Sequence, residues 1–385
     1  MEPFFQLAQF SGAAASAQPS ASAQAFSGTQ LVALYGAPAT RPAFGKRRAS
    51  VAIVVAHSYT GLQADLQLYW ESAANFGATI ACPTVTVHTM PGAGANEQWA
   101  QEACLDVQMV CTMNPYAAVS VVEASSANVH DMLAAVDYAA ANADVVSMSW
   151  GANDAAAFAP YASRFSREQV AFVAASGDTS VASWPSVVDT CVSVGGTTLL
   201  WAPCQTRLRS LMTPYSRSEF TWPSAGCGYS VSVARPAYQS AVNATAKRVI
   251  PDISLVANPR SGVYVVYNGT WLVFGGTSLA TPLFAGMISL ANQMRINVGK
   301  QPLSTQNGAL HSTLYAIYAD PRKYAATFKD ITLGTNAGSS LVGSPGNLGS
   351  LGGLVEYAEG TGFQIPTGLG SPNCARLCAD LAAAP

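Results

Sequence analysis

Charge is scarce in this chain. Only 10% of its 385 residues are Asp, Glu, Lys or Arg, and 19 basic residues against 21 acidic ones leave no excess to neutralise a phosphate backbone or an anionic membrane surface. Nucleic acid is not an expected partner. No apolar run is long enough to span a bilayer, so no membrane partner is expected, and Met1–Phe10 lacks the basic start and continuous apolar stretch of a signal peptide. The eight cysteines show no paired CxxC spacing, which argues against zinc held through sulfur. Cys104 and Cys111 stand about two helical turns apart, too far for a bridge within one helix. Histidine is rarer still: His57, His88, His130 and His311 are the whole supply, and none sits in a glycine-flanked motif. Chemistry that relies on imidazole has few candidates. Two glycosylation sequons, at Asn243 and Asn268, matter only in a secretory pathway.

What is plentiful is apolar surface. Half of the residues are hydrophobic, enough for one large core or two moderate ones. Residues 1–27 form an Ala/Ser/Gln-rich leader with little to bury, read as flexible, and order is expected from about Gln30–Tyr35. Short β-branched runs then alternate with helical spacing. Strands are expected at Val51–Val55, Thr84–His88, Val119–Glu123, Val145–Trp150, Ala171–Ala175 and Cys191–Val194. Helices are expected at Leu62–Phe76, Asn96–Cys111 and Val129–Ala141, with a helical segment near Arg164–Val170. Near-continuous apolar strands in βαβ order predict an α/β fold, a mostly parallel sheet with helices on both faces, in a single large domain over 28–385. Thr198–Ala257 reads as loops and turns, and Asn268-Gly269 as the turn of a hairpin leading into Gly275.

The stretch Gly275–Pro282, GGTSLATP, carries a candidate nucleophile. Two glycines leave room for a carbonyl to approach, and Ser278 would open a buried helix whose free N–H groups favour a developing oxyanion. A serine needs a base. On the helical wheel of 96–111, Glu97, Gln101 and Gln108 make one polar stripe, while Glu102 and Asp106 fall opposite, among Trp99, Ala103 and Val110. Two carboxyls on an apolar face cannot comfortably ionise together, so one keeps its proton and the pair can serve as base and acid. Asp178, in Ser176-Gly177-Asp178 just past a strand, is the third; kept protonated in a dry site, its O–H can donate to an oxyanion.

With GGTSLATP, EACLD (Glu102–Asp106) and SGD in that order, the chain resembles the sedolisins, serine-carboxyl peptidases that share the subtilisin fold. The likeness runs from about Phe26 to Asn373 and includes LVALYG (Leu31–Gly36), VVSMSWG (Val145–Gly151), SVGGTTL (Ser193–Leu199), ARPAYQ (Ala234–Gln239), IPDISLVANP (Ile250–Pro259), DIT (Asp330–Thr332) and TGLGSPN (Thr367–Asn373). The resemblance implies Ser278 as nucleophile, Glu102 as general base and later acid, Asp106 orienting Glu102, and Asp178 with the Ser278 N–H as oxyanion donors. It implies a monomer that hydrolyses peptides or unfolded proteins through an acyl-enzyme, as an endopeptidase or tripeptidyl-peptidase, outside the cell or in an acidic compartment. Carboxyls in place of imidazole predict an optimum at about pH 3–5. The other readings are a silent binding protein of the same fold, and an esterase or acyl transferase using the same serine.

The resemblance also implies calcium within a C-terminal part, about 328–373. Asp330 and the Ile331 carbonyl match its first ligands and the Gly360 and Gly362 carbonyls its loop, while the last ligand, usually Asp, is Gln364. Losing that carboxylate weakens attraction for a hard dication. The family's usual run of glycines is Gly226-Cys227-Gly228 here, and nothing before Gln30 matches the prodomain or export signal that members generally carry.

Overall fold

From Val51 to Ala56 every residue is buried, which requires cover on both faces of the strand. The computed structural model describes residues 1–7, 25–38, 47–72, 76, 80–200, 218–336 and 360–385. Its main sheet has eight strands: β1 Ser50–Ala56, β2 Val85–Thr89, β3 Ala118–Ala124, β4 Val145–Met148, β5 Ala171–Ala175, β6 Cys191–Leu200, β7 Ser218–Thr221 and β8 Ile253–Val256. The order is β7-β6-β5-β4-β1-β3-β2, with β8 also on β6, and only the β6–β7 pairing is antiparallel. The expected α/β fold is thus present.

The helices that matter are α1 Gly28–Tyr35, α2 Leu62–Glu71, α3 Glu97–Met113, α4 Val129–Asn142 and α5 Thr277–Asn297. Local chemistry sets their starts: Asn96 caps α3 by accepting from Trp99 N, Asn128 caps α4 by accepting from Asp131 N, and Ser27 with Gln30 forms a capping box for α1. α3 and α5 pack against each other and on the sheet. At their crossing Gly286 leaves no room for a side chain, since a Cβ there would stand 2.6 Å from Met113 Cβ. Asn114 Nδ2 donates to Ser289 Oγ at 2.8 Å one step further along.

Several expectations need correcting. Of the 1–27 leader, Met1–Leu7 is paired rather than loose: Glu2–Pro3 runs antiparallel to Trp150–Gly151, and Gln6–Leu7 antiparallel to Phe274–Gly275. Residues 8–24 lie outside the described residues, as does most of the glycine-rich tract between 334 and 370. The expected strand Val145–Trp150 breaks at Ser149, whose carbonyl accepts from Phe4 N and from Ser278 Oγ instead of serving the sheet. α2 stops at Glu71, where Ser72 turns to φ −58°, ψ 135°. The helical segment lies at Ala156–Phe165, a 3₁₀ helix earlier than expected, because Phe165 is the buried anchor. Thr198–Ala257 is not all loop: β7, β8 and an antiparallel pair, Gly228–Ala234 with Lys247–Ile250, occupy much of it. The hairpin Val263–Tyr267 with Thr270–Gly275 is present, and positive φ at Asn268 (48°) and Gly269 (71°) is what its two-residue turn demands. Asn243 is buried, holding Thr245 and Lys247, so the first sequon is enclosed in the folded chain.

Candidate active site

α5 begins at Gly276, whose φ of 107° a side chain would rarely adopt and whose missing Cβ leaves space beside Phe4 O. Ser278, on the first turn, therefore has a backbone N–H with no partner inside the helix. It donates to Phe4 O at 2.9 Å. The Ser278 hydroxyl is 3.0 Å from Glu102 Oε2 and 3.0 Å from the Ser149 carbonyl, two acceptors for one proton. Glu102 and Asp106 are fully buried, one helical turn apart on the face of α3 that meets α5. Ser149 Oγ donates to Asp106 Oδ1 at 2.6 Å.

Glu102 Oε1 and Asp106 Oδ2 have no other hydrogen-bond partner, and a proton shared between the two carboxyls satisfies both. The electrostatics agree. Burial, then the neighbouring Asp106 charge, holds the Glu102 carboxyl well above the usual carboxylate range; burial does the same to Asp106, against the hydrogen bonds from Ser149 and Glu102. The pair keeps a proton in acid and still has an oxygen facing the serine.

Asp178 approaches from the other side. Its Oδ1 accepts from Thr277 N and Thr277 Oγ1, both at 2.8 Å, leaving Oδ2 enclosed without a partner. Burial raises its pKa to about 7 despite those two hydrogen bonds. The residue as a whole keeps partial exposure, but the enclosed atom is the one that must carry charge, so its surroundings set the shift. Oδ2 is consequently the protonated oxygen, and it borders the space left by the missing Gly276 side chain, 2.7 Å from where that Cβ would stand, with Phe4 O beside the same space. The Ser278 N–H donates to Phe4 O, and the Asp178 carboxyl borders the same Gly276 space.

All four residues singled out from the sequence, Ser278, Glu102, Asp106 and Asp178, come together. Two were missed. Ser149 links Asp106 to the serine through its hydroxyl and carbonyl, and Thr277 orients Asp178. The position of Thr277 directly before Ser278 was a usable signal; a carbonyl acceptor such as that of Ser149 leaves none in sequence. Gln108, placed on the outer polar stripe, is instead buried and pairs both amide atoms with Val266 N and O, at 2.9 and 2.7 Å. Trp150 serves packing, donating Nε1 to Val54 O at 2.9 Å. Gly226 N donates to Gly177 O at 2.7 Å, which places Gly226-Cys227-Gly228 beside the Asp178 loop. None of the four histidines contacts the serine or either carboxyl of the pair through a hydrogen bond. Cys104 and Cys111 are unbridged.

At the C-terminal loop, Asp330 Oδ2 accepts from Gly362 N at 2.8 Å, and its buried Oδ1 has no partner. Gln364 turns Nε2 toward Thr361 O at 3.0 Å. Among the described residues no group of three or more His, Cys, Asp or Glu side chains is placed to hold a metal. The single orphaned carboxylate oxygen at Asp330 nevertheless suits a site completed by carbonyls.

A mostly parallel, helix-covered sheet that delivers a serine at a helix N-terminus is in keeping with a subtilase, and the chain belongs to that family: the subtilase family model matches residues 86–350. Within it, the chain is similar to the sedolisins. It is 30% identical to sedolisin of Pseudomonas sp. (strain 101) over 206 residues, 53% of this chain and 31% of that one. To xanthomonalisin of Xanthomonas sp. (strain T-22) it is 30% identical over 201 residues, 51% of this chain and 21% of that one. The matched region thus spans less than a third of either relative. The fold superposes on a solved Pseudomonas sedolisin complexed with two molecules of pseudo-iodotyrostatin, with TM-score 0.73 and 23% identity, covering 93% of this chain and 98% of that one.

Proposed function

We propose that this chain is an acid-active serine-carboxyl peptidase that cleaves peptide bonds in peptides or unfolded proteins. The observation that carries this is the hydroxyl of Ser278 at 3.0 Å from a buried carboxyl pair, beside a backbone N–H that already donates to a carbonyl oxygen. Ser278 Oγ attacks the acyl carbon while Glu102 takes the hydroxyl proton on Oε2 and passes the proton it shares to Asp106. Glu102 then returns that proton to the leaving amine, and water repeats the sequence on the acyl ester. Asp178 O–H and Ser278 N–H stabilise the oxyanion in each half. The chemistry suits an acidic compartment or an acidic exterior. Among the described residues no helix is long and apolar enough to cross a membrane.

The decisive test of the oxyanion assignment is a pH–rate profile of Asp178→Asn and Asp178→Ala. Below about 7 the carboxyl is protonated and donates; above it, it is ionised, donates nothing and repels the oxyanion. Asn donates at every pH. The expected result is that Asn holds activity in acid and extends the alkaline limb upward, while Ala loses about 10²–10³-fold in kcat. An alkaline limb that stays put in Asp178→Asn would remove Asp178 from this role.

We also propose a calcium ion at the C-terminal loop, held by Asp330 with the carbonyls of Ile331, Gly360 and Gly362 and the amide oxygen of Gln364. The partnerless Asp330 Oδ1 supports it. Bound calcium would tie this loop down, and its role is stability alone. A chelator is expected to lower the thermal midpoint, with added calcium restoring it. An unchanged midpoint argues for a loop held by its hydrogen bonds.

A further inference from the structure

Ser149 touches the proton relay at both ends. Its hydroxyl donates to Asp106 Oδ1 at 2.6 Å, and its carbonyl accepts from Ser278 Oγ at 3.0 Å, the same distance at which that hydroxyl stands from Glu102 Oε2. The residue is fully buried at the break between Val145–Met148 and Trp150–Asn153, and both of its neighbours anchor it. Met148 lies in the core, and Trp150 donates Nε1 to Val54 O at 2.9 Å. The hydroxyl must be the donor in its bond to Asp106. Oδ1 is the one partner it reaches among the described residues, so a hydroxyl that accepted a proton there would leave its own proton enclosed and unmet. Oδ1 is therefore taken up as an acceptor. The seat left for a proton is Asp106 Oδ2, which like Glu102 Oε1 is buried without any other partner.

We propose that Ser149 is the positioning residue of the carboxyl pair: by holding Asp106 Oδ1 as an acceptor, it confines the pair's proton to the Oδ2 side, facing Glu102. The proposal rests on the peptidase reading above. As Ser278 Oγ bonds to the acyl carbon, its proton goes to Glu102 Oε2 and the proton already in the pair comes to rest on Asp106 Oδ2. The pair thus passes from one proton to two, and the negative charge it loses appears on the oxyanion. With Oδ1 released, the second proton would also settle on the oxygen turned toward Ser149, off the path back to the leaving amine. A hydrogen bond donated to a carboxylate also favours its ionised form, and the Ser149 hydroxyl acts on Asp106 in that direction, so the pair frees its base in more acid solution. Among the described residues, the titratable groups acting on the pair are its own two carboxyls and Asp178, which acts on Glu102. Asp65 of α2 meets α3 at the Cys104 thiol instead, and Glu123 of β3 is taken up by Tyr59 N and Thr89 Oγ1.

The experiment compares pH–rate profiles of kcat/KM on denatured casein for wild type, Ser149→Ala and Ser149→Thr, each checked for native circular dichroism. In Ser149→Ala the acid limb is expected to move up by about one pH unit, the size that a lost hydrogen bond to a charged carboxyl gives. Ser149→Thr keeps the hydroxyl and should bring the limb back. The alkaline limb, which belongs to Asp178, should stay where it is in both. A residue that only filled space would lower the rate alike at every pH. An acid limb that stays put in Ser149→Ala, or that moves as far in Ser149→Thr, overturns the proposal. Should either variant fail to fold, Ser149→Cys, a weaker donor of nearly the same size, is expected to move the limb part of the way, and an unmoved limb there overturns it too. Wild type that hydrolyses no casein between about pH 3 and pH 7 overturns the peptidase reading and this proposal with it, whereas hydrolysis with an unmoved limb overturns this proposal alone.

Discussion

Ser278→Ala is expected to lower kcat/KM on a denatured protein at about pH 4 by roughly 10⁴-fold or more, with the fold unchanged. The size follows from what is removed. Among the described residues the hydroxyl is the group placed to attack, while the Ser278 N–H and Asp178 survive the substitution and continue to polarise a bound carbonyl. Residual hydrolysis by water should therefore remain measurable. Glu102→Gln should approach the same loss, since Gln cannot accept the proton, and the double variant should be little worse than either single one because the two groups act as a unit. Steady-state kinetics on the four proteins decide this. Losses that multiplied independently would mean that Glu102 is not the base for Ser278.

The second large effect concerns stability rather than rate. Arg248 and Asp252 are fully buried and paired at 2.7 Å, and Asp252 also accepts from Ser193 N at 2.8 Å and Tyr315 OH at 2.9 Å. The guanidinium, with His311, holds the Asp252 carboxyl well below the usual carboxylate range, even though burial alone would raise it. Asp252→Ala leaves Arg248 charged in a dry site and should cost about 3–5 kcal/mol of unfolding free energy. Replacing both, as Arg248→Met with Asp252→Leu, should recover much of that loss, because the cost lies in the orphaned charge. The sign of the pH effect is fixed: a lowered pKa contributes stability above the unfolded value of 3.8, lost as pH falls below it. Denaturant unfolding at about pH 6 and at about pH 3 should therefore separate wild type from Asp252→Ala more at the higher pH. An equal gap at both would show that Asp252 is not ionised in the folded chain. This cluster lies at the head of β8, the strand that leads to Ala257, whose carbonyl accepts from Gly276 N at 2.6 Å.

Much of the site was legible because helical periodicity is a strict rule. Glu102 and Asp106 on an apolar stripe had to face the interior, and they do. The parallel strands were legible for a similar reason, since burial on both faces makes them continuous apolar runs. What escaped was carried by backbone or by pairing partners far away in sequence. Ser218–Thr221 and Gly228–Ala234 alternate with Pro and Gly and read as loops until their partners supply the other half of the ladder. Gln108 looked outward because a polar residue ordinarily does; Val266 supplies both of its hydrogen bonds from the hairpin. Met1–Leu7 reads as leader because nothing in its own residues announces the cleft that receives it.

The distance between hydroxyl and carboxyl is set well away from either. Gly286 follows Ser278 by eight residues along α5, as Val110 follows Glu102 along α3, and it is here, about 12 Å down each rod, that a missing side chain lets Met113 and the Val110 carbonyl lie against α5. The two rods run side by side from that pivot up to the reacting atoms. Any widening of the pivot splays their upper ends, so the reach of the proton acceptor is gauged by a residue that never meets the peptide.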